Sequence, residues 1–128
     1  MKVKTSELTG SALDWAVAKC EGHDVAIRYT GEVYLVDRPW ADRQRVKWLA
    51  PFKPSSAWAQ GGPIIEREGL ELSGFSAKWK SRTYWSTSVS GGPKRYWDMT
   101  GSTPLIAAMR CYVASKLGDE IDIPEELA

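Results

Sequence analysis

The segment that most constrains the fold is a strongly delimited helix near the C-terminal end of the chain. Thr103 is suited to cap this helix, Pro104 occupies the first helical position where its missing N–H costs nothing, and Gly118 closes the far end. Between these limits, apolar side chains recur at helical spacing. The stripe consists of Leu105, Ile106, Met109, Tyr112, Val113 and Leu117. We therefore predict a one-sided helix whose apolar stripe must be covered by another part of the chain.

A second one-sided helix is predicted near the start of the chain, over residues 9–21. Thr9 is suited to cap it, and Leu8 and Leu13 occupy the two positions of a hydrophobic staple. Gly22 follows the last turn as a stop signal. The apolar face consists of Leu13, Ala16, Val17 and Cys20. This helix also needs a surface to cover.

The middle of the chain is rich in aromatic and β-branched residues, and Gly or Pro interrupts it about every ten positions, which is typical of short strands. Strands are expected at residues 25–29, 33–36, 64–68, 70–72, 75–80 and 83–89. Thr30-Gly31 permits a tight turn between the first two, although one bulged strand fits the same residues. The pattern predicts an α+β fold, a small antiparallel sheet with two helices packed on one face.

Three stretches fit neither helix nor strand. Residues 37–60 and 90–102 hold prolines, glycines and basic residues and are predicted to be long loops, which in compact domains are more often functional or mobile than idle. Residues 119–128 carry five acids and no base. We therefore predict a single domain over residues 1–118, followed by a loosely attached, solvated acidic tail over residues 119–128.

The composition excludes several classes of protein. The chain has 128 residues, of which 43% are hydrophobic and 26% charged, and its net charge is +1, as expected for a folded domain rather than a disordered or fibrous chain. No apolar run approaches the roughly 18 residues of a spanning helix, and the start lacks the apolar stretch of a secretory signal. We therefore expect a cytoplasmic protein with no membrane partner. Cys20, Cys111 and His23 are too few for a disulfide scaffold or a usual zinc site, so unbridged cysteines, no metal and no cofactor are expected.

Seven tryptophans are an unusually large share for this length, and five of them lie near Arg or Lys. Residues 75–101 hold five bases and one acid, so positive charge beside flat aromatic rings there suggests binding of single-stranded nucleic acid. The candidate residues are Lys78, Lys80, Arg82, Trp85, Lys94, Arg95 and Trp97. The alternative is that tryptophan supplies core volume while lysine and arginine stems cover the sheet edges.

Three glutamates form the best acidic set. In the predicted strand, Glu66 and Glu68 share one face, and with Glu71 they could bind a divalent cation or perform acid–base chemistry. The alternative is that this face is simply solvated. The sequence lacks the motifs of zinc metalloproteases, P-loop proteins, dinucleotide-binding proteins and α/β-hydrolases, so no residue is assigned as catalytic and an enzyme is the less favoured class.

Three segments of the chain are distinctive: WAQGGPIIEREG at residues 58–69, TPLIAAMRCYVASKLGDE at residues 103–120, and KTSELTG with LDWAVA at residues 4–18. These segments resemble the NinX-like proteins of tailed phages and enterobacterial prophages. That family has no assigned activity, cofactor or catalytic residue. The resemblance implies a phage-encoded accessory protein that is made inside the bacterium and acts on phage DNA, phage transcripts or a host factor.

The first of these segments is the predicted working surface of a binding module. In the predicted loop, Gly61 and Gly62 would let a partner approach the backbone. The Gln60 side chain offers a hydrogen-bond donor and an acceptor, and the Trp58 ring offers a flat surface for stacking. Arg67 completes the candidate set. The alternative is that Gly-Gly-Pro only turns the chain into a strand.

The preferred function is therefore a non-catalytic module that binds a host or phage protein, or nucleic acid. Two alternatives remain open: a small enzyme acting on a nucleotide or protein through Glu66, Glu68 and Glu71, and a structural protein that forms oligomers, for which a dimer is possible.

Overall fold

A computed structural model of the chain describes residues 1–42, 44–77, 82–89 and 99–127, with the side chains of residues 71, 73–77 and 82–89 outside that description. Its described part contains three α-helices, α1 (Gly10–Glu21), α2 (Trp58–Glu68) and α3 (Pro104–Leu117). None of these helices has the length and apolar character needed to cross a bilayer.

α1 and α3 confirm the two predicted helices. The Thr103 side chain accepts a hydrogen bond from the Ile106 N–H at 3.1 Å, which satisfies one of the free donors of the first turn of α3. Gly22 ends α1 with φ at 73°, a left-handed conformation that glycine adopts without steric cost. The start of α3 and the end of α1 therefore follow from residues within one turn of the boundary, whereas the Thr9 side chain makes no capping hydrogen bond at the start of α1.

The strands pair antiparallel in three small sheets within the described residues, so the predicted α+β class is confirmed while the single sheet is not. The terminal sheet pairs β1 (Lys2–Lys4) with β8 (Glu120–Asp122). The 25–51 sheet contains β2 (Val25–Ile27), β3 (Val33–Asp37) and β4 (Lys47–Pro51), in that order. The 70–101 sheet contains β5 (Leu70–Ala77), β6 (Arg82–Val89) and β7 (Met99–Gly101), in that order.

Residues 25–36 form a hairpin rather than one bulged strand. Ala26 pairs with Tyr34 across β2 and β3, and the Gly31 N–H donates to the Arg28 carbonyl at 2.8 Å. Gly31 has φ at 89°, which explains why glycine stands at the end of this turn. The hairpin was one of the two alternatives that the sequence left open.

The strand predicted at residues 64–68 is wrong, because these residues form the second half of α2. Ile64 is buried in the core and Ile65 packs against it. Adjacent residues point to opposite faces in a strand but lie about 100° apart in a helix, so only the helix lets both isoleucines reach the same core. Pro63 lies inside α2, where a local propensity argument would not place it.

Both predicted loops were too long. Residues 37–60 contain β4 and the start of α2, and residues 90–102 contain β7, while residues 90–98 lie outside the described part of the chain. β4 is completed by pairing with β3, with an irregularity in register between Leu35 and Val36. The pairing of β4 with β3 joins residues some fifteen positions apart. The local composition, which is rich in proline and arginine, therefore did not predict this strand.

The acidic end of the chain is attached, so the expectation of a loose tail is wrong for residues 120–123. β8 pairs with β1, and the Ile123 N–H donates to the Met1 carbonyl at 2.9 Å. Ile121 and Ile123 are buried, while the charged residues between and beside them point to solvent. The alternation of apolar and acidic residues is that of a half-buried strand.

The core lies between α1, α3 and the inner faces of the sheets. Leu105, Met109, Tyr112 and Val113 are buried, which confirms the predicted stripe, although Leu117 is exposed. The buried surface of α3 is wider than predicted, because a set of small residues is buried as well. That set is Ala107, Ala108, Cys111 and Ala114. α3 is therefore the central helix, in contact with α1, α2 and the 70–101 sheet.

Candidate functional site

The predicted binding loop is the first half of α2 rather than a loop. The Trp58 side chain remains exposed and lines a cleft of about 250 Å³ together with Thr103 and Leu105. The Gln60 amide, in contrast, is engaged by the backbone before the helix. Its Oε1 accepts from the Lys53 N–H at 2.6 Å, and its Nε2 donates to the Pro51 carbonyl at 2.9 Å. Gln60 therefore holds the turn that precedes α2.

The two glycines of this segment have different surroundings. Gly61 is buried, and a Cβ added there would lie 2.5 Å from the Pro54 carbonyl oxygen and 2.6 Å from the Leu105 side chain. The same atom on Gly62 would meet nothing closer than Trp58, at 3.9 Å. Gly61 is thus required by close packing within the fold.

Arg67 belongs to an ion network that joins the three helices. Its guanidinium donates to both carboxylate oxygens of Glu21, at 3.0 and 2.8 Å, and to the Tyr112 hydroxyl at 3.2 Å. Tyr112 in turn donates to Glu21 at 2.9 Å. Glu68 lies 3.4 Å from Arg67 and 3.6 Å from Lys116, which extends the network along the surface.

The protonation of Glu21 shows how strongly this network is coupled. Burial raises the pKa of the Glu21 carboxyl, but the hydrogen bonds from Arg67 and Tyr112 outweigh burial and leave the pKa below its usual value. Burial and the neighbouring Glu21 raise the pKa of the Tyr112 hydroxyl. The network stabilises the packing of α1, α2 and α3, and neither Glu21 nor Tyr112 was singled out as a site residue from the sequence.

The glutamate set does not share one face. Glu66 and Glu68 are two positions apart on α2, so they lie roughly 200° apart around the helix axis. Glu71 follows in β5, and its side chain is outside the described part. The described residues contain no group of three or more His, Cys, Asp or Glu that could hold a metal ion. The enzyme hypothesis therefore loses the shared strand face on which it was based.

No disulfide joins Cys20 and Cys111. Burial, with a further contribution from Glu21, raises the pKa of the Cys20 thiol to about 12. Cys20 therefore stays a protonated thiol and lacks the thiolate character of a nucleophile.

The predicted nucleic-acid patch falls almost entirely outside the described residues. Arg82 and Trp85 lie in β6, where they pair with Ala77 and Gly74 across the ladder to β5. The side chains of both residues are outside the description, and the other members of the set are not described at all. These are Lys78, Lys80, Lys94, Arg95 and Trp97. That the residues of this set form one surface remains a prediction.

The structure instead brings three residues together on the outer face of the 25–51 sheet. The Arg28 guanidinium lies 4.8 Å from the Tyr34 ring centre and 5.4 Å from the Trp48 ring centre. The two rings meet edge to face, with their centres 5.6 Å apart. Arg28 also donates to the Tyr34 hydroxyl at 3.2 Å. We call these three residues the Arg–Tyr–Trp cluster.

Strand register explains why the cluster forms. Tyr34 pairs with Ala26 on one side, and Val36, two residues further along β3, pairs with Trp48 on the other. Tyr34 and Trp48 are therefore diagonal neighbours on one face, within reach of large side chains. Val25 and Leu35 pack against the core from the opposite face. The cluster is thus held in place by a sheet whose inner face is anchored.

Further large apolar side chains are exposed beside the cluster. Tyr29, in the hairpin turn next to Arg28, is 96% exposed, and Leu49, next to Trp48, is 56% exposed. Trp48 itself is 40% exposed. In the sequence, a basic residue stands beside an aromatic one at Arg28-Tyr29 and at Lys47-Trp48, and this pattern could have indicated the surface. Only the strand register shows that Tyr34 lies between Arg28 and Trp48.

These features describe a small α+β protein with an aromatic cluster on the outer face of one of its sheets. A model of the protein family described as "Bacteriophage P22, NinX" matches residues 4–116 of the chain. The chain therefore belongs to the NinX family of phage proteins, which confirms the resemblance indicated by its three segments and makes it a phage-encoded protein. No curated protein matches the chain significantly.

Proposed function

We propose that this phage protein is a non-catalytic binding module that recognises another protein, of the host or of the phage, in the cytoplasm of the infected bacterium. The observation that carries the proposal is the Arg–Tyr–Trp cluster. Arginine, tyrosine and tryptophan are the residues most enriched at the energetic centres of protein interfaces. Here the Arg28 guanidinium lies over both rings, and the rings meet edge to face. A preformed arrangement lowers the entropy lost on binding.

Exposure of the surrounding residues supports the same conclusion. Tyr29 and Leu49 leave large apolar side chains in water next to the cluster. Both side chains remain largely exposed in the described structure, and we propose that the partner covers them. Contiguous exposed apolar surface on a small protein is typical of interaction sites.

The local charge favours a protein partner over nucleic acid. Residues 24–51 contain five basic and four acidic residues, and one pair of them, Arg38 and Asp24, is joined by an ion pair at 2.9 Å. Binding to nucleic acid draws most of its affinity from neutralising phosphates, which requires a marked excess of positive charge. A near-neutral aromatic face suits a protein surface.

The test is capture of partners from infected cells by three tagged versions of the full chain: the wild type, Trp48→Ala and Trp40→Ala. Trp40 is 93% exposed and is not a member of the cluster, so it controls for the loss of a surface tryptophan. We expect the wild type and Trp40→Ala to retain the same protein, and Trp48→Ala to lose it. With the purified partner, Trp48→Ala should weaken binding by at least about tenfold.

Each capture is repeated after nuclease treatment. Retention of the partner after treatment supports direct protein recognition. Equal capture of the partner by wild type and Trp48→Ala contradicts the proposal. Loss of the partner on nuclease treatment also contradicts it and indicates nucleic-acid binding instead. Matching circular dichroism spectra of the three versions show that the comparison concerns the surface and not the fold.

A further inference from the structure

A half-open cleft of about 390 Å³ lies at the inner side of the 25–51 sheet, and no member of the Arg–Tyr–Trp cluster lines it. Its walls come from the first turns of α1, the start of β3, residues 51–56 and Ile106 of α3. The volume is in the range of about 300–1,000 Å³ that is usual for sites that hold small ligands or single side chains. The proposed function makes no use of this cleft.

Asp14 is the distinctive group of the cleft. It projects from α1 and is only 6% exposed, although most aspartates lie in solvent. Its Oδ1 accepts from the Ser55 backbone N–H at 2.9 Å. Burial raises the pKa of the Asp14 carboxyl, and the hydrogen bonds from Ser55 and the charge of Lys53 offset that effect only in part. The buried carboxylate is thus incompletely compensated by the protein itself.

The other residues that line the cleft indicate which ligand would balance the buried charge of Asp14. Glu32 adds a second carboxylate, and Lys53 is the one basic residue among the described residues that line the cleft. Ser55 and Ser56 add hydroxyl acceptors, and Phe52 adds an aromatic ring. A guanidinium group combines these requirements, because it is a permanent cation, carries five N–H donors in one plane, stacks on aromatic rings and is weakly hydrated.

We propose that this cleft is a binding site for a guanidinium group, carried by an arginine side chain of a partner protein or by a free small molecule. Asp14 accepts hydrogen bonds from the guanidinium at the base of the cleft, and Glu32 adds charge at the rim. Charge-assisted hydrogen bonds of this kind are about twice as strong as neutral ones. The inference goes beyond the proposed function, since the two sites share no residue.

The experiment titrates three probes into the 15N-labelled full chain and follows backbone amide signals by NMR. Nα-acetyl-L-arginine amide represents a protein side chain, agmatine represents a free guanidinium compound, and Nα-acetyl-L-citrulline amide is the uncharged isostere. We expect the guanidinium probes to shift the signals of Ser11, Asp14 and Ser55, and the citrulline probe to leave them in place. Tighter binding of the capped arginine assigns the site to a protein partner, and tighter binding of agmatine assigns it to a small molecule.

Charge-neutralising variants test the roles of the two carboxylates. Asp14→Asn keeps an acceptor for the Ser55 N–H and should weaken guanidinium binding by about tenfold or more. Asp37→Asn makes the same change at an exposed position of β3 that does not line the cleft, and should leave binding unchanged. Glu32→Gln, at an exposed position, provides a second variant that does not disturb the interior and should also weaken binding.

Three results would overturn the inference: no shift with either guanidinium probe, equal shifts with the citrulline probe, or unchanged affinity in both Asp14→Asn and Glu32→Gln. None of them bears on partner capture through Trp48, so the failure of this site and the failure of the proposed function are distinguishable.

Discussion

The helical core and the 25–51 sheet use their large side chains in opposite ways. In the core, Leu13 of α1 and Met109 of α3 are completely buried, and the Tyr112 hydroxyl finds its partner in Glu21. On the sheet, Trp48 and Tyr29 remain in solvent. Burial of apolar area accounts for the first arrangement, since it supplies most of the free energy of folding. It gives no reason for the second, and the exposed aromatic side chains are the basis of the proposed binding role.

Truncation of one large side chain in each region is the strongest test of this difference between the core and the 25–51 sheet. Met109→Ala removes a fully buried side chain and should lower the free energy of unfolding by about 2–5 kcal/mol. Trp48→Ala removes a partly exposed side chain together with its contacts to Tyr34 and Arg28, and should cost about 1–2 kcal/mol. Urea unfolding of both variants measures the two values. A cost for Trp48→Ala as large as that for Met109→Ala would mean that Trp48 serves the fold.

The two adjacent glycines of α2 sharpen the comparison within one segment. Gly61→Ala would bring a Cβ to 2.5 Å from the Pro54 carbonyl oxygen, a backbone atom that cannot easily move, so we expect a loss of about 1–3 kcal/mol. Apart from its chain neighbours, the new Cβ of Gly62→Ala meets nothing closer than Trp58 at 3.9 Å, so this variant should lose less stability than Gly61→Ala. Thermal unfolding of both variants decides the matter. A similar effect at both positions would contradict the close approach at Gly61.

The ion network predicts a pH-dependent contribution to stability. The pKa of Glu21 is lowered in the folded state, so its contribution is present above the ordinary value of 4.5 and is lost as pH falls through the folded value. Because Arg67 is half exposed, Glu21→Gln should cost only about 1 kcal/mol near neutral pH. The difference from wild type should vanish in acid, as measured by urea unfolding over a pH series. The exposed Glu125→Gln serves as the control, and a pH-independent difference would argue against the role of the Glu21 charge.

The pH dependence of stability due to Asp14 should be opposite in sign to that due to Glu21, and its effect should be the smallest of those predicted. Its pKa is raised in the folded state, so the folded protein binds the proton more tightly than the unfolded chain, and stability falls as pH rises from about 3.8 through the raised value. Asp14→Asn removes this loss while it retains an acceptor for Ser55. The variant should therefore be at least as stable as wild type near neutral pH and relatively less so in acid. Loss of stability at neutral pH would show that the buried charge itself holds the 53–56 turn.

Helix boundaries were predicted accurately where their signals are local. Thr103, Pro104 and Gly118 delimit α3, and Gly22 ends α1, because capping depends on residues within one turn of the helix end. α2 was missed for the opposite reason. Its Gly-Gly-Pro segment favours a turn locally, and only the close approach of Pro54 and Leu105 shows why glycine stands at position 61 of a helix. Tertiary packing overrides propensity in such segments.

The candidate sites were less predictable than the fold. Trp58 was expected to be available to a partner and is exposed, whereas Gln60 is engaged by the backbone of residues 51 and 53. Tyr34 lies in β3, Trp48 lies in β4 and Arg28 follows the end of β2, and nothing in their spacing indicates that they meet. A cross-strand cluster depends on register, and a shift of one residue would turn Tyr34 to the other face.

The amino-acid sequence by itself determined the α+β class, the limits of α1 and α3, the buried stripe of α3 and membership of the NinX family, since each depends on residues close together in the chain. The tertiary structure alone decided the helical state of α2, the attachment of the acidic end and the assembly of the Arg–Tyr–Trp cluster. These features arise from contacts between distant segments. Their free energies are gained only when the whole chain has folded, so no short window of sequence contains them.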